Sequence, residues 1–239
     1  MTGALAGRSA VITGASRGIG LATAQALASA GARVVLVART DADLQRACAE
    51  IGEEASCIPC DMSDAIAVQA LAGELERRLG GAPDVMVNNA GQFELAAVEE
   101  TSTSDFARML DVNLLAPFIL LRTLLPAMHA RGSGHVVNIG SIADRHTFPG
   151  NGAYAASKFG LRALHEVLRA ELAGSGVRAT LVSPGPVDTA LWDEVDPDTR
   201  PGFTPRAMML SASAVAEAVL YAVSQPPEVN VDELRLTRS

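Results

Sequence analysis

Seven short apolar runs recur along the chain, each separated from the next by a stretch long enough for a helix. The runs are rich in Val and Ile and apolar nearly throughout, which is typical of parallel strands that helices bury on both faces. They are SAVITG from Ser9, RVVLVAR from Arg33, ASCIPCD from Ala55, DVMVNNAG from Asp84, HVVNIGS from His135, VRATLVSPG from Val177 and NVDELRLT from Asn230. The pattern predicts an α/β fold with one doubly wound, seven-stranded parallel sheet and helices on both faces.

The stretches between the runs carry helix start and stop signals. Thr40 and Asp43 have the spacing of a capping box at the start of the second helix. The six predicted helices are LATAQALASAG up to Gly31, about Thr40 to Gly52, after Ser63 to Gly80, about Ser104 to Ala130, Gly152 to Leu172, and Ala212 to Ser224. In such sheets ligands bind beyond the carboxyl ends of the strands, so we expect the functional residues there.

Composition limits the class of protein. A chain of 239 residues, 49% of them hydrophobic, fits a single domain over residues 1–239. Its net charge of −8 argues against nucleic-acid binding, which needs a basic face. The apolar run VNLLAPFILL, residues 112–121, is too short to span a bilayer, and MTGALAGRSAVITG has no features of a targeting segment. We expect a cytoplasmic protein that binds neither nucleic acid nor membrane.

Cys57 and Cys60 form a CxxC motif, which is either a redox pair, half of a zinc site, or neither. No second CxxC or His pair completes a metal site. The motif also lies in a predicted strand, whereas redox pairs favour a helix N-terminus. We therefore predict no metal site and reduced thiols, Cys48 included.

The turn TGASRGIG, residues 13–20, follows the first strand and contains Gly14, Gly18 and Gly20. Glycine permits a tight turn and close approach of the backbone to a pyrophosphate, and the next helix offers N–H donors at its positive end. A plain strand-to-helix turn is the alternative, but the position directly after the first strand favours a dinucleotide site.

Two further strand ends are candidates for the same site. Small residues in NNAG, Asn88 to Gly91, would let the adenosine side of a dinucleotide pass close to the backbone. Stabilisation of a turn by the Asn side chains is a second reading, and both can hold together. Asp61 ends the third run and either accepts from an adenine amino group or caps the following helix.

The strongest chemical pattern begins at Ser141, which ends the fifth run; twelve residues separate it from Tyr154. YAASK then places Lys158 four residues after Tyr154, on the same helix face. The Lys158 ammonium and a cationic nicotinamide would lower the tyrosine pKa from its ordinary value near 10 towards the working range of an acid–base group. Ser141 would donate to the substrate oxygen or orient it.

Together with Asn113 in MLDVNLL and with PGPVDT, residues 184–189, these motifs resemble those of the short-chain dehydrogenase/reductase family, single-domain branch. The resemblance covers essentially the whole chain and implies a Rossmann-type sheet in a homo-oligomer, a tetramer or a dimer. It implies Tyr154 as general acid/base and Lys158 as the residue that holds the nicotinamide ribose. It further implies that Ser141 positions the carbonyl and that Asn113 anchors a water of a proton relay.

The same resemblance extends to the cofactor. The backbone after Pro184 and Gly185 would face the nicotinamide, and Thr189 would contact its carboxamide. The expected cofactor-binding residues are Gly14, Ser16, Arg17, Gly18, Ile19, Gly20, Ala38, Arg39, Thr40, Asp61, Met62, Asn89, Ala90, Gly91, Tyr154, Lys158, Pro184, Gly185, Val187 and Thr189.

The end of the second run, VVLVART, residues 34–40, bears on cofactor choice. An acid that holds the adenosine ribose is expected about 20 residues after the glycine turn, but Ala38 and Arg39 stand there. Ala38 removes the repulsion of a 2′-phosphate, and Arg39 offers a planar donor fork. Arg17 would reach the phosphate from the other side, and Thr40 would add a hydroxyl. Two solvated surface arginines are the alternative; we predict NADP(H).

The substrate end is less determined. Residues 188–210, DTALWDEVDPDTRPGFTPRAMML, interrupt the regular pattern and are predicted to form a lid. Four lid residues either line an apolar pocket or only pack the lid: Trp192, Phe203, Met208 and Met209. His146 is predicted to line the site or lie on the surface. The expected substrate-contacting residues are Ser141, Phe148, Asn151, Tyr154 and Trp192.

The predicted function is NADP(H)-dependent hydride transfer to or from a carbonyl or alcohol: a small ketone, an aldehyde or a hydroxy acid. One alternative is a 3-oxoacyl-carrier-protein reductase, which the ending VNVDELRLTRS disfavours because it lacks a glycine-rich segment. The other is a non-catalytic NADP(H)-binding regulator, which the intact Asn113, Ser141, Tyr154 and Lys158 disfavour.

Overall fold

A computed structural model describes residues 3–239 and contains one parallel sheet in the order β3-β2-β1-β4-β5-β6-β7. The strands are β1 Ser9–Thr13, β2 Arg33–Ala38, β3 Ala55–Pro59, β4 Val85–Asn88, β5 Gly134–Ile139, β6 Val177–Pro184 and β7 Glu233–Leu236. The helices are α1 Gly18–Ser29, α2 Asp41–Ile51, α3 Ala65–Leu79, α4 Thr103–Leu110, α5 Ala116–Arg131, α6 Gly152–Glu171 and α7 Ala212–Val223. The predicted seven-stranded, doubly wound fold is confirmed.

Apolar cores lie on both faces of the sheet. On one face, α3, α5 and α6 cover side chains such as Val11 and Val35, while α1, α2 and α7 cover Ile12 and Leu36 on the other. Successive residues of a strand point to opposite faces. A central strand therefore needs apolar residues at every position, which accounts for the uninterrupted runs in the sequence.

The two edge strands depart from the prediction of burial on both faces. In β3 only Ile58 is fully buried, and β7 is only partly buried. β7 also begins at Glu233 rather than at Asn230. The reason is that the Asn230 side chain pairs with the main chain of Ala179, accepting at 3.0 Å and donating at 3.2 Å, in place of a strand ladder.

Local signals at helix starts were less reliable than the apolar pattern. The predicted capping box of α2 is wrong, because the Thr40 side chain makes no capping hydrogen bond and Asp43 instead pairs with Arg46. Helix α3 is capped by Asp64, whose carboxylate accepts from the amides of Ile66 and Ala67. The helix predicted to follow Ser63 thus begins at Ala65.

The helix predicted from Ser104 to Ala130 is interrupted by a π-helical turn, Asp111–Leu115, between α4 and α5. The whole segment, Thr103–Arg131, is long and apolar enough to cross a membrane by length and composition, unlike the shorter run VNLLAPFILL. In the fold, α5 packs against α3 and β5 through buried residues such as Leu120 and Leu124. α5 is therefore a core helix that packs on one face of the sheet.

Candidate active site

The glycine turn joins β1 to α1 and lies against the end of β4. A Cβ at Gly14 would stand 2.8 Å from the Ala90 Cα, and one at Gly20 would stand 2.2 Å from the Gly14 carbonyl oxygen. Gly14 also has a φ of +66°, which disfavours other residues. No side chain caps the first amides of α1, whose N-cap residue is the exposed Arg17. Those amides are therefore available to an anion such as a pyrophosphate.

NNAG holds this turn in place. The Asn89 side chain donates to the carbonyls of Thr13 at 2.8 Å and Gly14 at 3.2 Å. In return, the Thr13 hydroxyl accepts from the amides of Asn89 and Ala90, each at 3.0 Å. Asn88 points elsewhere and donates to the Asn138 Oδ1 at 2.8 Å. Of the two readings of this motif, the turn-stabilising one is thus directly visible.

The residues predicted to select the cofactor surround the end of β2. Ala38 is buried at the strand end, whereas Arg39 and Thr40 are exposed directly after it. Within residues 3–239, neither Arg39 nor Arg17 forms a salt bridge or a side-chain hydrogen bond. The Thr40 hydroxyl is likewise not used to cap α2. The guanidinium groups of Arg17 and Arg39 and the Thr40 hydroxyl are thus free to bind a ligand.

Asp61 and Met62 follow β3. Asp61 accepts from the Ser63 amide at 2.9 Å and from its hydroxyl at 2.8 Å. The hydrogen bond from the Ser63 amide holds the pKa of Asp61 below its usual range, and nearby Arg39 contributes. Since Asp64 caps α3, the helix-capping role considered for Asp61 is wrong. The Met62 side chain is buried in the core, so this residue offers a ligand mainly its backbone.

Ser141, Tyr154 and Lys158 meet beyond the end of β5. Ser141 caps a short 3-10 turn, Ile142–Asp144, by accepting from the Ala143 amide at 3.1 Å. Lys158 is buried on α6, and its Nζ donates to the Ile139 carbonyl at 2.9 Å. The same Nζ lies 5.7 Å from the centre of the Tyr154 ring. The three predicted catalytic side chains are therefore neighbours.

The pKa of Tyr154 departs from the prediction. Burial raises the pKa of the phenol to about 12, Asp144 adds to the rise, and the hydrogen bond with Ser141 opposes it. Burial also lowers the pKa of Lys158 to about 8, against an opposing effect of Asp144. The prediction that Lys158 lowers the tyrosine pKa is not met by the protein alone, because loss of solvation outweighs the other influences.

Asp144 is a neighbour that sequence reasoning missed. Its side chain is fully buried and accepts from the Ser183 hydroxyl at 2.6 Å and from the Arg145 Nε at 3.3 Å. Arg145 in turn pairs with Glu233 of β7. The signal available in the sequence was an Asp-Arg pair three residues after Ser141, directly beyond a buried strand.

Asn113 lies in the π-helical turn and is buried. Its side chain donates to the Gln92 carbonyl and the Ser157 hydroxyl, both at 2.9 Å, and accepts from the Gln92 amide at 2.8 Å. Both ends of the amide are thus occupied in tying the loop after β4 to the helices.

The chain after β6 turns back towards the glycine turn. The Gly185 amide donates to the carbonyl of Leu236 at 2.8 Å, so the residue directly after β6 still pairs with the end of β7. A Cβ at Gly18 would lie 3.2 Å from the Thr189 Cγ2, so Thr189 packs on the glycine turn. Buried Val187 accepts from the Trp192 indole N–H at 3.1 Å. The residue expected to contact the nicotinamide carboxamide therefore lies next to the turn expected to bind the pyrophosphate.

A chain of aromatic rings in and beside the lid segment, residues 188–210, begins at Tyr154. Phe93, a residue that sequence reasoning missed, has its ring 4.8 Å from that of Tyr154 and 5.1 Å from that of Trp192. Phe203 links Trp192, at 6.4 Å, to Phe148, at 6.3 Å. Phe93 follows the NNAG motif, and its position in the sequence gave no periodic signal.

The remaining predicted substrate-side residues divide into buried and exposed groups. Asn151 is buried, and its Oδ1 accepts from the Phe148 amide at 3.2 Å. Met209 is also buried, whereas Met208 and His146 are exposed. The burial of Met209 thus fits packing of the lid segment, and His146 lies on the surface.

Known proteins resemble this chain along nearly its full length. A family model described as short chain dehydrogenase matches residues 8–200. An uncharacterized oxidoreductase of Staphylococcus aureus (strain MW2) is 34% identical over 226 residues, which is 94% of each chain.

Solved structures agree in fold. A metagenomic short-chain oxidoreductase in complex with NADP has 35% identity and a TM-score of 0.85, with 99% of both chains covered. An alcohol dehydrogenase from the archaeon Thermococcus sibiricus, complexed with 5-hydroxy-NADP, has 33% identity and a TM-score of 0.85 over 96% of this chain and 95% of that one. Sequence match, fold and the grouping of Ser141, Tyr154 and Lys158 agree. The chain belongs to the short-chain dehydrogenase/reductase family, oxidoreductases that use nicotinamide cofactors and act on small molecules.

Proposed function

We propose that this protein is an NADP(H)-dependent carbonyl reductase that acts on a ketone, aldehyde or related hydroxy compound through Tyr154. The observation that carries the proposal is the grouping of Ser141, Tyr154 and Lys158 at the carboxyl end of the sheet. The uncapped N-terminus of α1 and the glycine turn border the same edge. The Tyr154 phenol can thus transfer a proton next to the glycine turn and helix N-terminus, which suit a dinucleotide.

The protein's own residues would handle the proton. When bound, the cofactor supplies or accepts the hydride. A pKa of about 12 keeps the Tyr154 phenol protonated at neutral pH, the form that donates to a carbonyl oxygen. Ser141 would donate to the same oxygen and hold it in place. Lys158, largely protonated with its pKa of about 8, has donors left beyond the one used by the Ile139 carbonyl, and these would bind ribose hydroxyls.

The choice of NADP(H) rests on the end of β2. Arg39 and Arg17 are exposed and uncommitted, and buried Ala38 brings no negative charge. A 2′-phosphate would gain charge-assisted hydrogen bonds from the guanidinium groups. The NADP and 5-hydroxy-NADP complexes of the two structural relatives support the same choice. The relative from Thermococcus sibiricus, an alcohol dehydrogenase, supports the carbonyl/alcohol chemistry.

We further propose that residues 188–210 act as a lid and that the protein is a cytoplasmic homo-oligomer, a dimer or tetramer. Large apolar side chains are exposed along α4, the π-helical turn, α5 and α6, namely Phe106, Leu115, Phe118, Phe159 and Val167. Exposed apolar surface of this kind marks association sites. Light scattering on the wild type and on Phe118→Glu tests this part: a smaller particle for the variant supports it, and a monomeric wild type contradicts it.

A nucleotide-coupled carbonyl panel tests the function. NADPH and NADH oxidation is followed with ketones, aldehydes and oxo acids, and the reverse reactions with the corresponding alcohols. Turnover that prefers NADPH and is lost in Tyr154→Phe supports the proposal. Binding of NADPH with no Tyr154-dependent turnover would indicate the non-catalytic regulator instead.

A further inference from the structure

The aromatic side chains of this chain are unevenly distributed. The sequence contains six Phe, two Tyr and one Trp. Five of these nine form the connected cluster around Tyr154, whose other members are Phe93, Phe148, Trp192 and Phe203. The remaining four, Phe106, Phe118, Phe159 and Tyr221, are exposed at 39–56% on the helices. Within the cluster, Phe148 is as exposed as these, at 41%, whereas the other four members are partly buried. The partly buried aromatic rings are therefore grouped at one place, next to the proposed proton donor.

The cluster consists almost entirely of apolar ring atoms. Phe93 packs edge-on against Tyr154 and Trp192, with interplanar angles of 79° and 62°. The only polar atom of Trp192 is its indole nitrogen, and that N–H is already bonded to the Val187 carbonyl. The cluster is thus aromatic, and the buried Nδ2 of Asn151, next to Phe148, is a polar atom without a hydrogen-bond partner among the described residues.

Charge in the surrounding segment is unfavourable for an anion. The lid segment holds five acids, Asp188, Asp193, Glu194, Asp196 and Asp198, against two bases, Arg200 and Arg206. Arg206 is itself paired with Asp188 at 2.9 Å and Asp193 at 2.6 Å. Arg145, beside the 3-10 turn, is paired with Asp144 and Glu233.

Lys158 is a further cation close to Tyr154, but it donates to the Ile139 carbonyl and belongs to the nicotinamide side of the proposed mechanism. The lid segment therefore offers a substrate carboxylate more acids than bases. Of its two arginines, Arg206 is paired, whereas Arg200 forms no salt bridge within residues 3–239.

We propose that this cluster selects neutral carbonyl compounds that carry an aryl or similarly bulky apolar group, over small ketones and over 2-oxo acids. The proposal rests on the hydride-transfer function proposed above and narrows its substrate class. Phe93 and Trp192 are the specificity-determining residues, because they lie between the proton donor and the rest of the cluster.

Three matched substrates test the selection. Phenylacetone, acetone and phenylpyruvate differ only in the phenyl ring or in the replacement of a methyl group by a carboxylate. Burial of the ring predicts a kcat/KM for phenylacetone roughly 10- to 100-fold above that for acetone. The acidic surroundings predict that phenylpyruvate is reduced at least about tenfold less efficiently than phenylacetone. All rates are measured with saturating NADPH, with Tyr154→Phe as the catalytic control.

Two substitutions test the residues themselves. Phe93→Leu and Trp192→Leu are expected to lower the phenylacetone-to-acetone ratio of kcat/KM by about tenfold each. Tyr221→Leu, an exposed aromatic on α7, is the matched control and should leave the ratio within twofold. Circular dichroism and NADPH affinity confirm that each variant is folded.

Because Trp192 is the only tryptophan, its fluorescence reports on this cluster without turnover. In the presence of NADP⁺, which has no hydride to deliver, phenylacetone should quench Trp192 emission at concentrations at least about tenfold lower than acetone or phenylpyruvate. Tyr154-dependent reduction of acetone or phenylpyruvate as efficiently as phenylacetone, or equal quenching by all three, overturns the selection while the reductase function stands. If no carbonyl is reduced, and the emission does not respond to phenylacetone, both proposals fail.

Discussion

At the dinucleotide end of the candidate site the backbone sets the geometry, whereas at the substrate end side chains from separate segments do. Gly14 and Gly20 leave no room for a Cβ, and the Asn89 side chain ties the turn to the end of β4 by donating to the Thr13 and Gly14 carbonyls. At the other end, aromatic rings from the loop after β4 and from the lid segment meet over Tyr154. The dinucleotide end is a local motif, so its geometry does not depend on the substrate. The substrate end is assembled from distant positions, so it can differ with the substrate.

Tyr154→Phe should give the largest effect, because it should lower catalysis at the substrate end without weakening NADPH binding at the dinucleotide end. Loss of the proton donor is expected to lower kcat by about 10²- to 10⁴-fold, the usual contribution of general acid–base catalysis. The affinity for NADPH should change by no more than a few-fold, because the glycine turn and Arg39 are untouched. Single-turnover kinetics and nucleotide titration measure the two effects. A fall in NADPH affinity as large as the fall in kcat would show that the two ends are not independent.

Arg39→Asp is expected to have the reverse effect. It replaces a donor fork by a carboxylate, so the KM for NADPH should rise on the order of 10- to 100-fold, as for lost hydrogen bonds to a charged group. The KM for NADH should stay level or fall. Arg33→Asp, at the opposite end of the same strand and also exposed, is the matched control. An unchanged NADPH KM in Arg39→Asp would remove the basis for the cofactor assignment.

Asp144→Asn tests whether the Asp144 carboxylate influences the protonation of both Tyr154, at the substrate end, and Lys158, at the dinucleotide end. The buried carboxylate raises the pKa values of both Tyr154 and Lys158, so its removal should lower both. Alcohol oxidation needs the deprotonated phenol, and its rate therefore rises with pH through the tyrosine pKa. The rising limb of that profile should move to lower pH in the variant, with Asn still able to accept from Ser183. A profile that keeps its position would mean that Arg145 already neutralises Asp144.

Arg206→Gln should have the smallest effect. Arg206 ties together the Asp188 and Asp193 side chains and the Thr189 carbonyl across the lid segment. Its loss should loosen the aromatic wall and raise the KM for an aryl ketone by a few-fold, more than it raises the KM for NADPH. Exposed ion pairs contribute little to stability, so the melting temperature should hardly change. A larger rise for NADPH than for the ketone would place Arg206 on the dinucleotide side.

The same contrast explains what could be predicted from the sequence. The strands, their parallel order and the grouping of Ser141, Tyr154 and Lys158 follow from apolar runs and fixed spacings, which are local. The predicted start of β7 was wrong because the Asn230 side chain replaces the backbone hydrogen bonds of a strand pair. No sequence pattern predicts such a replacement.

Phe93 and Asp144 were missed for a related reason. Each matters only through contacts with residues far away in the sequence, such as Trp192 and Ser183. The tyrosine pKa likewise depends on burial, which the spacing of Tyr154 and Lys158 does not reveal.

The most direct test of the central claim follows the hydride itself. NADPH carrying deuterium at both C4 positions is incubated with the enzyme and phenylacetone, and the product alcohol is analysed by mass spectrometry. We expect one deuterium on the carbinol carbon with the wild type and almost no alcohol with Tyr154→Phe. An absence of labelled alcohol from the wild type, under conditions in which it binds NADPH, would contradict the account.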